Sequence, residues 1–347
     1  MQNEERQDVK SLSRAGLEES LVRLGEPRFR AEQIFAWLQK GAASFNDMTN
    51  ISVSLRTKLD GEFYITKPKL QKKQMSADGT AKFLWELRDG ECVETVVMKY
   101  QHGNTVCISS QVGCRMGCTF CASAIGGLVR NLSPSEMLDE VLYSEREYGD
   151  NISNVVLMGI GEPLDNFENV MRFFEIINDP RGRNIGMRRV SLSTCGPKEG
   201  IDKLAGFNLQ LTLSVSLHAP DDGTRSQIMP VNRAEGVDSL LESCHRYFEK
   251  TGRRVSFEYA MMRNVNDTPF HAALLSKKLR HMGVHVNLIP LNAVAERDFQ
   301  PSSSAQIEAF RKTLEDSGIG VTVRRRLGED IDAACGQLRS KSGKQLH

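Results

Sequence analysis

With 347 residues, 40% hydrophobic and 26% charged, the chain fits a large globular domain with a smaller appendage. Its net charge of +1 means that any nucleic acid must be held by local basic patches, because the global charge is too small. The acid-bearing N-terminus MQNEERQDVK excludes a signal peptide, and no apolar run reaches the ~18 residues of a membrane span. The expected setting is the cytoplasm. There, eight cysteines read as ligands, catalytic thiols or buried apolar groups in preference to structural disulfides.

Residues 1–65 read as a helical accessory domain. Leu17, Leu21 and Leu24, then Ile34, Phe35 and Leu38, recur at helical spacing, broken by Gly25 and Pro27. Over 66–99 the pattern turns to β-type runs, KFLWELRDG and ECVETVVMKY, around an Asp-Gly turn signal. This β extension shows no evident chemistry and reads as hairpin-like. Within it Glu94 is a charge in an apolar run, the usual mark of a solvated face on an edge strand.

Residues 100–335 read as the core. The runs TVCISS, NVVLMG, RVSLST, LTLSVSL, RVSFEYAMM and VHVNLIPL, with a later IGVTVRRR, alternate with helical patterns over 133–148, 168–177, 237–250, 270–282 and 304–317. The first helix opens SPSE, where Ser133 caps, Pro134 suits the first turn and Glu136 completes a capping box. Such alternation predicts an α/β fold with a parallel sheet, best read as a partial (β/α)6 barrel; an open doubly wound sheet is the alternative. Ligands then bind at the C-terminal ends of the strands. The special residues gather there: Cys114 onward, GEP at 161–163, STCG at 193–196, SLHAP at 216–220 and PLN at 290–292. Residues 336–347 form a basic C-terminal tail.

Cys114, Cys118 and Cys121 stand at C-x3-C-x2-C spacing. Zinc sites normally close with four protein ligands, and iron–sulfur clusters usually take four thiolates. Three local thiolates without a neighbouring histidine leave one iron of a four-iron cluster open to something other than protein. A structural zinc site borrowing a distant ligand is the competing reading. Cys107, seven residues upstream of the triad, shares strand parity with Ser109, opposite Val106 and Ile108. Cys335 has polar flanks and is followed by Gly336, a setting for a thiol on a flexible segment that visits two positions. The bland reading of either thiol is a small buried hydrophobe, and Cys92, Cys195 and Cys244 are read as structural.

The triad, with Phe120 before its last cysteine, resembles the radical S-adenosylmethionine enzymes, and GEP resembles the motif that meets the cofactor's amino group. In order, CISSQVGCRMGCTFCAS, GIGEPLDN, RRVSLST, SLHAP, MPVNR, VNLIPLN and DIDAACGQLR resemble bacterial RNA methyltransferases acting on carbon 2 of adenine. The resemblance implies one 4Fe-4S cluster on Cys114, Cys118 and Cys121, and two S-adenosylmethionine molecules per turnover. Gly161, Glu162, Ser193, Ser216, Leu217, His218 and Asn292 fall on its cofactor-contacting positions. It implies that Cys335 accepts a methyl group and carries it to the base, that Glu94 accepts the proton of carbon 2, and that Cys107 releases the RNA through a transient disulfide. Cys195 stands where the family more usually has serine.

Further implied are 23S rRNA and tRNA as substrates, an electron donor such as flavodoxin or ferredoxin, and a monomer without a membrane partner. RNA phosphates would meet basic candidates at 324–326, Arg339, Lys341, Lys344 and Arg188–Arg189. Two competitors remain: the related enzymes that methylate carbon 8 of the same ribosomal adenine, and a zinc-bearing RNA-binding module without catalysis.

Overall fold

The computed structural model describes residues 6–292, 294, 296–334 and 336–338; Cys335, Arg339, Lys341 and Lys344 lie outside the described residues. The N-terminal segment contains helices α1 (Arg14–Arg23), α2 (Arg30–Gln39) and α3 (Val53–Glu62). Ser13 caps the first by accepting from the Gly16 N–H. The leucine and aromatic positions expected from the spacing, Leu17, Leu21, Ile34, Phe35 and Leu38, are buried. Lys10 docks this segment on the core, its ammonium 2.6 Å from an Asp139 carboxylate oxygen, with both groups out of solvent. Removing either partner would strand a buried charge, so the junction is specified as well as packed.

Ten strands form one sheet: β1 (Lys69–Met75), β2 (Ala81–Glu86), β3 (Cys92–Tyr100), β4 (Gly103–Cys107), β5 (Ile152–Leu157), β6 (Val190–Thr194), β7 (Thr212–Ser216), β8 (Ser256–Met261), β9 (His285–Pro290) and β10 (Gly320–Val323). Each pairs with its neighbours in sequence, antiparallel from β1 to β4 and parallel from β4 to β10. Helices α4 (Pro134–Tyr148), α5 (Phe167–Asn178), α6 (Lys198–Gly206), α7 (Asp222–Ile228), α8 (Val237–Thr251), α9 (Pro269–Leu279) and α10 (Ser304–Asp316) fill the parallel crossovers. The core is therefore six βα units followed by a seventh parallel strand. The capping box of α4 is present in both directions between Ser133 and Glu136.

Two features differ from the sequence reading. Helices α6 and α7, of 9 and 7 residues, are too short to show a clear apolar period. The stretch 66–99 is not a separate hairpin either. Its three strands continue the parallel sheet through the β3–β4 ladder, which turns one sheet edge into a wall of the core.

The two faces of the parallel strands differ in chemistry. Val106, Val155, Leu192, Leu213, Phe257 and Val286 point into the main apolar core. The alternate residues Ser193, Ser216, Glu258 and Asn287 face the other way. Bulky branched side chains usually fill a βα barrel; short polar ones leave room. Residues from β6, β7, β8 and β9 together with Arg324 line one concavity, so the sheet curls around it. No ladder among the described residues joins β10 to β1, so the curl stays open on one side.

Candidate functional site

The chain leaves β4 through Ser109 and Ser110 and enters a small two-stranded ladder, Gln111–Gly113 with Leu128–Asn131, that holds up the cysteine loop. Cys114, Cys118 and Cys121 line a cavity of about 160 Å³, together with Glu162, His218 and Asn292. Burial, with a smaller contribution from Cys121, pushes the Cys114 thiol up to about 11, and burial pushes Cys118 higher still. Such thiols give up their protons to a metal that replaces the positive charge. Among the described residues no three His, Cys, Asp or Glu side chains converge on the position of a single ion. The three thiols line one cavity, and thiolates of this kind are the usual ligands of iron–sulfur clusters.

GEP follows β5. Gly161 has φ +108°, and a Cβ there would lie 2.6 Å from the Gln111 Cβ and 2.8 Å from its backbone nitrogen. Only glycine lets this turn lie against the cysteine loop. Glu162 is buried, and its carboxylate accepts from the Leu164 N–H at 3.0 Å and the Cys195 N–H at 2.7 Å. Burial pushes its carboxyl above the ordinary range, and the two N–H donors act against that shift. The Thr194 and Cys195 side chains also hydrogen-bond to this carboxyl group.

Past β7, His218 adopts φ +55°, and its Nδ1 accepts from the Ala260 N–H at 2.9 Å. Burial, helped by Arg225, lowers this imidazole to about 3, so the ring is neutral and carries its proton on Nε2. Ser193, Ser216 and Asn292 line the same cavity. The Leu217 side chain sits in the apolar core at 0% exposure, and its carbonyl accepts from Arg225 beside the site. Cys195, read as structural, borders the cavity and supplies the N–H that holds Glu162.

Two further residues escaped the sequence reading. Arg225 is buried and donates to the carbonyls of Leu217, Cys195 and Ser216, tying the loops past β6 and β7 together. Glu258 points into the cavity from β8, accepting from Asn287 Nδ2 at 2.9 Å, while its Oε2 has no hydrogen-bond donor. Arg324 approaches that oxygen to 3.9 Å and lines the cavity, in contrast to a position facing outward for RNA phosphates. The available signal for Glu258 was strand parity: a charge in step with Ser256 and Ala260 inside an apolar run.

The remaining candidates lie toward the antiparallel part of the sheet. Cys107 is buried in a cluster with Val96, Met98, Ile160, Ile331, Ala333 and Leu338. Glu94 lies on the same face of β3 as Val96, which pairs with Cys107. It is 9% exposed, in an interior strand, so the expectation of a solvated edge residue fails. Its carboxylate stands 3.3 Å from the Lys82 ammonium. Glu140 on α4 braces this corner, accepting from the Ser109 N–H and the Thr95 hydroxyl. The residues flanking Cys335 are buried: Ala333 at 7%, Ala334 at 8% and Leu338 at 3%. The Gly336 carbonyl accepts from the Ala122 N–H at 2.8 Å beside Cys121, and Gly336 lines the thiol cavity. Thus Gly336 lines the three-thiol cavity, Cys107 packs with Ala333 and Leu338 in a neighbouring cluster, and Lys82 links Glu94 to the Asp332 carbonyl.

Known proteins share this architecture and these motifs. Residues 108–275 match the Radical SAM superfamily, and residues 7–65 match the ribosomal RNA large subunit methyltransferase N-terminal domain. A "Probable dual-specificity RNA methyltransferase RlmN" of Alkaliphilus oremlandii (strain OhILAs) is 50% identical, covering 97% of this chain and 98% of the relative. The protein of that name from Pelotomaculum thermopropionicum (strain DSM 13744 / JCM 10971 / SI) is 51% identical over 97% of this chain and 92% of the relative. The chain belongs to the RlmN family of radical SAM RNA methyltransferases. A solved radical SAM methyltransferase from Sphaerobacter thermophilus superposes with a TM-score of 0.92 at 42% identity, covering 96% of this chain and 99% of that one. Membership implies a 4Fe-4S cluster and S-adenosylmethionine, and the thiol cavity fits both.

Proposed function

We propose that this enzyme methylates carbon 2 of a specific adenine in 23S rRNA and of an adenine in tRNA, with Cys335 as the carrier of the transferred carbon. The supporting observation is that Gly336, next to Cys335, lines the cavity of Cys114, Cys118 and Cys121, while Cys107 packs against Ala333 and Leu338 on the chain before and after position 335. The dual-specificity name of the relatives favours two RNA classes.

In this reading Cys114, Cys118 and Cys121 hold one 4Fe-4S cluster. Gly161, Glu162, Ser193, Ser216, His218, Asn292 and the backbone at Leu217 hold S-adenosylmethionine. When bound, these groups supply the methyl carbon and the adenosyl radical that activates it, with two S-adenosylmethionine molecules per turnover. Neutral His218 donates from Nε2, and Glu162 accepts from an ammonium. Such a route suits carbon 2, which is electron-poor and does not attack a sulfonium methyl directly.

Cys335 joins its sulfur-bound carbon to carbon 2, which makes a covalent protein–RNA adduct. Glu94 then accepts the proton of carbon 2, its charge held in the buried site by Lys82. After the adduct has given up one electron and its carbon 2 proton, the Cys107 thiolate attacks the Cys335 sulfur. The sulfur–carbon bond breaks as the disulfide forms, and the expelled methylene carbon takes up a proton to become the methyl group of the departing RNA. The disulfide is reset by a reductant, and the cluster draws electrons from a donor such as flavodoxin or ferredoxin. Residues 1–65, 66–99, 100–335 and 336–347 act as accessory domain, β extension, core and basic tail of a monomer.

Nucleoside mass spectrometry of both RNA classes after reaction should show 2-methyladenosine; 8-methyladenosine in its place would overturn the choice of carbon. Cys107→Ala should accumulate a covalent protein–RNA species on denaturing gels. Normal turnover in that variant, with no crosslinked band, would sink the releasing role of Cys107.

A further inference from the structure

The β1–β2 turn and Lys82 are tied to the chain that follows β10. Residues 327–338 leave β10 and cross the open side of the curled sheet. The Gly328 N–H donates to the Asp78 carboxylate at 2.9 Å, while the Ala77 N–H donates to the Asp330 carboxylate at 3.4 Å. Each partner thus caps the other's backbone. Two residues further on, the Lys82 ammonium donates to the Asp332 carbonyl at 3.0 Å while pairing with Glu94 at 3.3 Å. Lys82 and Glu94 are 7% and 9% exposed, so this bridge works where water competes little.

The contact is also shaped sterically. Gly328 has φ +64°, and a Cβ on it would lie 2.7 Å from the Ala333 Cβ and 3.0 Å from Thr80 Cγ2. A side chain there would push the strap off the turn. Beyond Asp332 the strap is tied to the other wall: the Gly336 carbonyl accepts from Ala122 N–H at 2.8 Å and the Leu338 carbonyl from the Ser123 hydroxyl at 2.7 Å. Position 335 falls between these two sets of ties, one to the antiparallel edge and one to the cysteine loop.

We propose that the turn Ser76–Thr80 and Lys82 form a register clamp on residues 328–334, so that Asp78 and Lys82 are positioning residues for the methyl-transfer site. The proposal rests on the reading of Cys335 as the carbon carrier. Lys82 has two linked tasks: it orients the Glu94 carboxylate and fixes the carbonyl three residues before Cys335. One ammonium therefore sets the distance between the group that takes a proton and the segment that bears the thiol. A one-residue slip of the strap would shift residues 328–334 by about 3.3 Å along the turn, a misplacement that catalysis does not tolerate.

The test uses the full-length, cluster-loaded enzyme with Asp78→Ala, Lys82→Met and Lys82→Arg. Two quantities are read: 5′-deoxyadenosine formed per methylated adenine, and the rate at which iodoacetamide labels Cys335 by peptide mass spectrometry. Asp78→Ala and Lys82→Met should raise both by about fivefold, the effect of losing roughly 1 kcal/mol from the clamped state. Lys82→Arg, which keeps a donor for Glu94 and the Asp332 carbonyl, should stay within about twofold of wild type by the same reckoning. Lys10→Met, which breaks the buried pair with Asp139, should lower the melting temperature without raising either quantity. Wild-type values in both clamp variants, or an equal rise in Lys10→Met, would overturn the clamp. A Cys335→Ala enzyme that still methylates RNA would instead refute the carrier reading, whatever the clamp variants do.

Discussion

The parallel half of the sheet lines the three-thiol cavity, whereas its antiparallel edge holds the chain that follows β10. In the parallel half each contribution follows one strand: a cysteine loop after β4, GEP after β5, His218 after β7. The geometry there is local, with short loops, left-handed turns at Gly161 and His218, and backbone N–H groups aimed at Glu162. At the antiparallel edge nothing is local. Glu94, Lys82 and Asp78 act through residues about 250 positions away, at Gly328 and Asp332. The contrast teaches that the half lining the thiol cavity is modular, whereas the ties of the antiparallel edge exist only once segments about 250 residues apart have met.

Variants that separate the halves test this contrast, and the largest effect belongs to the cysteine loop. Cys118→Ala should remove the broad iron–sulfur absorption near ~400 nm and all RNA methylation. Retention of both would remove Cys118 from the ligand set. On the other side, Glu94→Gln should keep the absorption and S-adenosylmethionine binding yet slow RNA methylation by about 10²–10⁴, the usual weight of a proton-transfer group. A Glu94→Gln enzyme that has lost its iron would collapse the distinction between the halves.

Gly161→Ala should cost about 1–3 kcal/mol, from backbone strain at φ +108° and the clash with Gln111, read as a lowered melting temperature. The smallest effect concerns acid. Burial pulls Asp78 upward, but the N–H groups of Gly328 and Thr80 and the Thr80 hydroxyl outweigh it and hold the carboxyl at about 2, against an ordinary 3.8. The unfolded chain therefore binds this proton first. The stability that Asp78 contributes is whole above about pH 4 and is lost as pH falls toward about 2. Asp78→Asn should flatten the acid limb of the pH–stability curve across that window; an unchanged slope would deny the carboxylate its tie to Gly328.

The order of strands, six βα units, the thiol triad and the glycine at 161 were all legible, because each depends on neighbours within a few residues. Ser133, Pro134 and Glu136 announced a helix start that the capping box reproduces. Cys107 was correctly placed opposite Val106 and Ile108, but which face looked into the cavity was open, since strand parity is blind to the second layer. Glu94 was misread for a related reason. A charge in a β run marks a solvated edge unless a partner strand covers it, and β2 and Lys82 do so here.

By itself the sequence determined the alternation of strands and helices, the three-thiol loop, and the residues that line the strand ends. These follow from side-chain period, turn chemistry and ligand spacing, all short-range. Only the tertiary structure decided that Leu217 faces the core, that Glu258 and Arg324 face the cavity, and that the region 66–99 extends the core sheet. Those outcomes depend on the curl of the sheet and on where residues 327–338 return across it. Long-range contacts of that kind leave no periodic trace in the chain.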